Sequence, residues 1–162
     1  STFPEAGIVY ETKIPGLSRL DGMSPATQIM TAFEMVPDLD GVANQSTISR
    51  SLESGHKTIL LNLDTGEIIP HWVEIDMRAD DDFRTLLYIR TLRGLDHNAD
   101  YGIGITGLTS NGTMIEPSLA FKAMIEGNLT TATDIEDRRE SFEELFTELE
   151  ANGYPRLGLQ AA

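Results

Sequence analysis

The chain has 162 residues, of which 40% are hydrophobic, enough for one domain with a sizeable core. Asp and Glu outnumber Lys and Arg by 26 to 12, and the formal net charge of -14 disfavours nucleic acid and anionic membranes as partners. The absence of cysteine excludes disulfides, thiolate nucleophiles and cysteine-based zinc sites.

Residues 1–50 are rich in Pro and Gly, and this composition predicts a segment that wraps over a larger body. Within it, SPATQIMTAFEMV (24–36) fits a short helix as well as an extended segment. The N-terminus lacks the basic start and apolar core of a signal peptide, and no apolar run approaches a membrane span. A mature exported protein from which a signal peptide had been removed would look the same.

Residues 51–127 predict the core of an antiparallel β-sandwich. The apolar strand TILLNLD is followed by the turn DTGE, in which Gly66 is available for a positive φ. The returning strand, EIIPHWVEIDM, alternates in character, with Val73 and Ile75 on an apolar face and Glu74 and Asp76 on a mostly polar one.

Two further strands and a hairpin complete this predicted core. TLLYIRTL (85–92) is apolar enough to be largely buried, and YGIGITGL (101–108) is a strand with glycines at alternate positions. Asn111-Gly112 is the strongest short hairpin signal, and we expect MIEPSLAFKAMI (114–125) to form the second strand of that hairpin.

Residues 128–162 read as a polar linker, a helix and a short apolar tail. Acidic residues fill the first turn of the predicted helix, IEDRRESFEELFTELEANG, and Thr133 or Asp134 can cap its start. Its apolar stripe must pack on the sheet or on a missing partner, and it consists of Ile135, Phe142, Leu145, Phe146 and Leu149. The tail YPRLGLQAA predicts a fragment or a processed chain that stays with a second polypeptide.

The best candidate for chemistry is the group His71, Glu74 and Asp76. On a strand, Glu74 and Asp76 share a face with Cβ atoms about 6–7 Å apart, a spacing that suits a carboxylate pair in hydrolysis. A regular strand directs His71 to the opposite face, so the alternative is an exposed polar face of an antiparallel strand. No Gly-x-Ser-x-Gly elbow and no phosphate-binding loop occurs in the chain.

Acidic turns make calcium the one candidate cofactor. Asp76, Asp80, Asp81 and Asp82 could bind Ca²⁺ through carboxylates and turn carbonyls, and so could PDLDG at 37–41. Neither stretch matches the twelve-residue EF-hand loop, and an acidic turn in an acidic protein is usually solvated.

The order of these motifs resembles the N-terminal region of large bacterial exported hydrolases of the virulence-factor lipase type. LDGMSPATQIM is followed by LDTGEIIPHWVEIDMRADD, by the strands and hairpin from residue 85, and by the acidic helix. The resemblance covers residues 17–160, and TGE--PHWVE-D is its most specific part. It implies a mainly β fold, an immunoglobulin-like antiparallel β-sandwich with an N-terminal wrapping segment and a C-terminal amphipathic helix.

In the related hydrolases the catalytic serine lies in a later domain, so the resemblance places no catalytic residue in this chain. It makes His71, Trp72, Glu74 and Asp76 a structural signature of the sandwich. The partner would be a downstream hydrolase segment or a second chain of the same precursor. We expect that partner at Phe142, Leu145, Phe146, Leu149, Leu157 and Leu159.

The leading hypothesis is therefore a non-catalytic β-sandwich module of an exported lipase- or esterase-like hydrolase, extracellular or at the cell surface. The alternative is an extracellular adhesion or assembly module, with calcium as a stabilising ion. A third reading is a small enzyme that uses Glu74 and Asp76.

Overall fold

The computed structural model describes residues 24–76 and 84–162. Within these ranges the chain forms eight β strands, three α helices and two 3-10 helices. The strands are β1 Ile29–Phe33, β2 Thr58–Asn62, β3 His71–Ile75, β4 Thr85–Thr91, β5 Tyr101–Thr106, β6 Thr109–Ser110, β7 Thr113–Met114 and β8 Leu159–Ala161. The α helices are α1 Leu119–Ile125, α2 Thr133–Glu136 and α3 Arg139–Ala151, and the 3-10 helices are Ile48–Leu52 and Arg156–Gly158.

Six strands form two antiparallel three-stranded sheets, with the orders β1-β4-β3 and β2-β5-β8. One apolar cluster joins the inner faces of the two sheets and includes Phe33, Val73, Leu87, Ile89 and Ile105. The prediction of a mainly β fold with antiparallel sheets is confirmed, and the facing sheets are consistent with a β-sandwich-like arrangement.

A second apolar cluster covers the other face of the β2-β5-β8 sheet. Ile59 and Leu61 of β2 and Leu159 of β8 pack there with side chains from α1, α3 and the segment after α3, which are Phe121, Met124, Ile125, Phe146, Leu149 and Tyr154. The middle sheet is therefore buried on both faces, which explains why TILLN reads as a continuous apolar run rather than an alternating one.

The alternate glycines of β5 let α3 lie directly on the sheet. A Cβ atom on Gly102 would overlap the Leu145 side chain, and one on Gly104 would come within 2.9 Å of Leu149 Cδ2. The glycines therefore mark a close approach of helix and strand.

The hairpin predicted at Asn111-Gly112 is present, but it is much shorter than expected. Asn111 and Gly112 have φ values of 49° and 76°, as a two-residue type I′ turn requires. The prediction that residues 114–125 form one strand is wrong beyond Met114. The Ser118 hydroxyl accepts the N–H of Phe121 and begins α1, whose buried side chains recur at helical spacing.

The single helix predicted from residue 135 is instead two helices that are separated at Asp137–Arg138. Thr133 is already the first residue of α2, and the residue before it, Ala132, supplies no side-chain cap. The predicted cap at Thr133 or Asp134 is therefore wrong. Glu136 orders this region instead, because it accepts the N–H and hydroxyl of Thr130 and pairs with Arg139.

Both ends of the described chain contribute strands to the sheets. Residues 29–33, which the sequence left open between helix and extended chain, form β1 and pair with β4. The tail residues Leu159–Ala161 form β8 and pair with β5. Gln160 then fastens the tail to the hairpin region, because its amide bonds the N–H and the carbonyl of Leu108.

Candidate functional site on the Trp72 strand

The two faces of β3 have different surroundings. His71 and Val73 point into the core, whereas Trp72 and Glu74 lie on the half-exposed outer face of the sheet. The prediction that His71 faces away from Glu74 is confirmed. A histidine–carboxylate pair is therefore not formed on this strand.

His71 is completely buried, with a relative exposure of 0%, and both of its ring nitrogens are engaged. Nδ1 lies 2.8 Å from the carbonyl oxygen of Ile69, and Nε2 lies 2.8 Å from the hydroxyl of Thr58. Because a carbonyl only accepts, the proton sits on Nδ1 and Nε2 accepts the Thr58 hydroxyl. Burial lowers the pKa of His71, so the ring is held neutral.

A second buried histidine, His56, completes this network, although no motif in the sequence indicates its role. Its Nε2 accepts the N–H of Ala43 at 2.9 Å, and its Nδ1 lies 2.9 Å from the carbonyl oxygen of Thr58. The two imidazole rings stand edge to face with centroids 6.1 Å apart. Tyr154 donates its hydroxyl to the carbonyl of His56 at 2.7 Å, so the network also holds the C-terminal tail. The sequence feature that could have indicated this buried polar network is Thr58, a polar residue at the start of an apolar strand.

On the outer face, Glu74 is held by two donors. The indole N–H of Trp72 donates to one carboxylate oxygen at 3.0 Å, and Nε of Arg90 on β4 donates to the other. The Trp72 hydrogen bond first, and then Arg90, lower the pKa of Glu74. A glycosidase-type general acid has a raised pKa, which is the opposite direction, and in this structure the carboxylate accepts hydrogen bonds from both neighbours.

Asp76 also has a neighbour on β4, since the Tyr88 hydroxyl donates to its Oδ2 at 3.3 Å. Asp80, Asp81 and Asp82, the other predicted calcium ligands, lie outside the described residues. Across residues 24–76 and 84–162, no three His, Asp or Glu side chains converge as a metal site would require. Calcium binding at the 80–82 turn stays a prediction.

The second predicted calcium stretch, 37–41, has a structural role. Asp38 Oδ2 accepts the hydroxyl of Thr109 at 2.9 Å and the N–H of Gly112 at 3.2 Å. The Gly112 N–H is the largest cause of the lowered pKa of Asp38. The carboxylate therefore holds the β6–β7 hairpin against the segment that follows β1.

The predicted partner-contact residues separate into three groups. Phe146, Leu149 and Leu159 are buried in the chain's own core, and Phe142 and Leu145 are half-buried against it. Leu157 is 76% exposed. The predicted contact therefore needs a correction for the three buried residues. Phe146 and Leu149 of α3 already pack on the β2-β5-β8 sheet, and Leu159 is part of that sheet.

A cleft of about 720 Å³ opens at one end of the two sheets. Its lining includes Leu60 of β2 and Ile103 of β5, Met30 of β1, and the polar residues Asp96 and His97 of the loop between β4 and β5. The Tyr101 hydroxyl accepts the N–H of Asp96 at 2.9 Å, which fixes one side of the loop. Loops at the ends of sandwiches are common positions for binding sites.

Comparison of the chain with protein-family models, with curated proteins and with solved structures found no match. The resemblance to exported lipases therefore stays an expectation. Among the helices of the described ranges, none has the length and apolar character needed to cross a membrane.

Proposed function

We propose that this chain is a non-catalytic, immunoglobulin-like β-sandwich module of an exported lipase- or esterase-like hydrolase, which packs against the catalytic part and supports it. One observation carries the proposal. The side chains that could have performed chemistry are engaged in hydrogen bonds within the chain: the buried His71 with Thr58 and Ile69, and Glu74 on the outer face with Trp72 and Arg90. Such groups hold strands in register and are poorly placed to bind a substrate.

Leu157 is the predicted contact residue that stays available to the catalytic part. It follows Arg156, which donates to the carbonyl of Met124 at the end of α1, so Leu157 projects from a firmly held segment. An exposed apolar side chain on a rigid support suits a docking position, because little conformational entropy is lost on binding.

The test is intact mass spectrometry and native size-exclusion chromatography on protein from its original source. We expect the chain to co-elute with a larger polypeptide that carries an esterase activity. Leu157→Asp should weaken co-elution, whereas Leu92→Asp, at another exposed leucine, should leave it unchanged. Elution of the wild-type chain without such a polypeptide would refute the proposal.

The proposal also requires that Glu74 has no role in the reaction. Glu74→Gln in the assembled hydrolase should leave kcat for a short-chain ester unchanged. A loss of kcat of a hundred-fold or more, roughly the contribution of an acid or base catalyst, would favour the third reading.

A second candidate is an extracellular adhesion or assembly module, and the cleft lined in part by the polar loop between β4 and β5 favours it. The calcium part of this candidate has a direct test. A melting temperature that rises in millimolar Ca²⁺ and falls in EDTA would support it, and an unchanged melting temperature would remove it.

A further inference from the structure

Among the residues that the structure describes, β1 is an open edge of its sheet, and the other long edges are covered. The outer edge of β3 is occupied because Val73 donates its N–H to the carbonyl of Ala43. The outer edge of β2 is occupied by the returning chain, where Ile69 donates its N–H to Leu60. β8 is only three residues long. In the part of the chain that the structure describes, no strand pairs with β1 except β4.

The hydrogen-bond alternation of the sheet shows which groups of β1 face outward. Asp76 donates its N–H to the carbonyl of Leu86, so on β4 the groups of Leu86, Tyr88 and Arg90 point toward β3. The groups of Leu87 and Ile89 then point toward β1, where their partners are Thr31 and Ile29. It follows that the N–H and C=O groups of Met30 and Ala32 point away from the sheet.

This edge also lacks the devices that normally prevent strand pairing. Residues 24–33 contain no charged side chain, although 23% of the whole chain is charged. Met30 is 57% exposed, and β1 itself contains no proline. Edge strands of monomeric proteins usually carry charges, prolines or bulges that block the approach of another strand.

We propose that two copies of this chain associate by antiparallel pairing of β1 with β1, about a two-fold axis at Thr31. In this register Met30 lies opposite Ala32 of the other copy, so the outward-pointing groups of both residues are satisfied together. Gln28 falls opposite Glu34, and no like charges face each other. A single self-complementary patch of this kind is what a two-fold dimer requires.

A second copy fits this edge because the strand is the uncharged part of a strongly acidic chain. Two surfaces with a net charge of -14 repel each other, and an uncharged strand is where they can approach most closely. Salt screens the repulsion, so the dimer should tighten by roughly five-fold or more between 50 mM and 500 mM NaCl. Association through a basic partner would instead weaken with salt.

Sedimentation velocity on the full chain tests the pairing. We expect a monomer–dimer equilibrium in the wild type and a monomer in Met30→Lys, since lysine on an edge strand opposes pairing. Met114→Lys is the matched control, because Met114 is 55% exposed on β7, and it should dimerise like the wild type. Ala32→Pro removes only an outward N–H and should also be monomeric.

A cysteine variant tests the register, since the natural chain has no cysteine. Thr31→Cys should oxidise to a disulfide-linked dimer, because it places two cysteines opposite each other in a non-hydrogen-bonded pair. Thr113→Cys on β7 is the control and should stay largely unlinked. A wild type that remains monomeric at high salt, or equal cross-linking in both variants, overturns the proposal. Neither result bears on co-elution with a hydrolase, so the two proposals fail separately.

Discussion

Leu149 of α3 packs directly on Gly104 of β5, with its Cδ2 atom 2.9 Å from the position a Cβ atom would occupy. Leu149 has a relative exposure of 0%, and Ile59 crowds the same position from the neighbouring strand. Neither side chain can move into solvent. The glycine is therefore what sets the distance between helix and sheet.

Gly104→Ala should lower the free energy of unfolding by about 1–3 kcal/mol, the usual cost of overpacking a core. Gly102→Ala should cost less, because its neighbour Leu145 is only half-buried and can rotate away. Urea denaturation measures both. Gly94→Ala is the control, since an added Cβ meets nothing within 4 Å, and it should change stability by no more than about 0.5 kcal/mol. Equal effects at Gly94 and Gly104 would contradict this packing.

Acidification below neutrality should destabilise the protein through His71. Burial lowers the pKa of His71 in the folded state, so the unfolded chain binds the proton first as the pH falls below about 6.5. The contribution of His71 to the free energy of unfolding is thus fully present above pH 6.5. It declines as the pH falls toward the folded-state pKa, by at most about 1.4 kcal/mol per pH unit for one proton. Melting curves between pH 7.5 and pH 5.5 measure this slope.

His71→Gln should flatten the slope, whereas His97→Gln, at an exposed histidine, should keep it. Several carboxylates, among them Glu74 and Asp38, also have lowered pKa values. Their contribution is lost only at lower pH, below the ordinary carboxylate range of about 4 to 4.5. A slope that is unchanged in His71→Gln would show that His71 is not its source.

Arg156 should be a main anchor of the C-terminal tail. Its guanidinium donates to both carboxylate oxygens of Glu143 at 2.6 Å, donates to the carbonyl of Met124 and lies 4.5 Å above the ring of Phe146. Arg156→Ala should cost about 1–3 kcal/mol and speed hydrogen exchange in β8. Arg156→Lys should recover only part of the loss, because an ammonium cannot form the bidentate pair.

Arg93 provides a matched control for that experiment, since it pairs with Glu67 in a bridge whose two side chains are more than half exposed. Arg93→Ala should change stability by less than about 1 kcal/mol and leave exchange in β8 unaltered. If the two arginine variants lose the same stability, the tail is held by its strand pairing and not by Arg156.

The Trp72–Glu74–Arg90 group should act as a modest cross-strand clamp. A double-mutant cycle of Trp72→Phe and Glu74→Gln should give a coupling free energy of about 0.2–1 kcal/mol, because both side chains are partly exposed to solvent. The measurement is urea unfolding of the four proteins at pH 7. Pairing Glu74→Gln with Arg93→Ala, which lies on a different ion pair, should give no coupling.

The placement of side chains on β3 could be predicted from the sequence, because a strand alternates faces with a period of two. The alternation therefore specifies two faces without any tertiary contact. Val73 and Ile75 mark the inner face, and Glu74 and Asp76 mark the outer one. The Asn111-Gly112 turn was equally local, since few residues accept two consecutive positive φ values. The acidity of the chain, and the classes of partner that it disfavours, also came from composition alone.

Local pattern was insufficient for the segment after the hairpin. Residues 114–125 are a short apolar run, and such runs suit a strand or a buried helix equally well. The Ser118 cap and the position of Phe121 under α3 decide for the helix. The apolar stripe of α3 raised a similar ambiguity, since a sequence shows that a face is apolar but not what covers it.

The remaining features depend on residues far apart in the chain. Three hydrogen-bonded pairs form only because of the way the strands pair and the hairpin folds back. They are His71 with Thr58, Glu74 with Arg90, and Asp38 with Gly112. The edge of β1 that the described residues leave open is likewise a property of strand order, which loop closure and packing decide and no local period encodes. The sequence by itself determined which faces are apolar and where the chain turns. Tertiary structure decided which polar groups meet, because hydrogen bonds and close packing depend on distances in space.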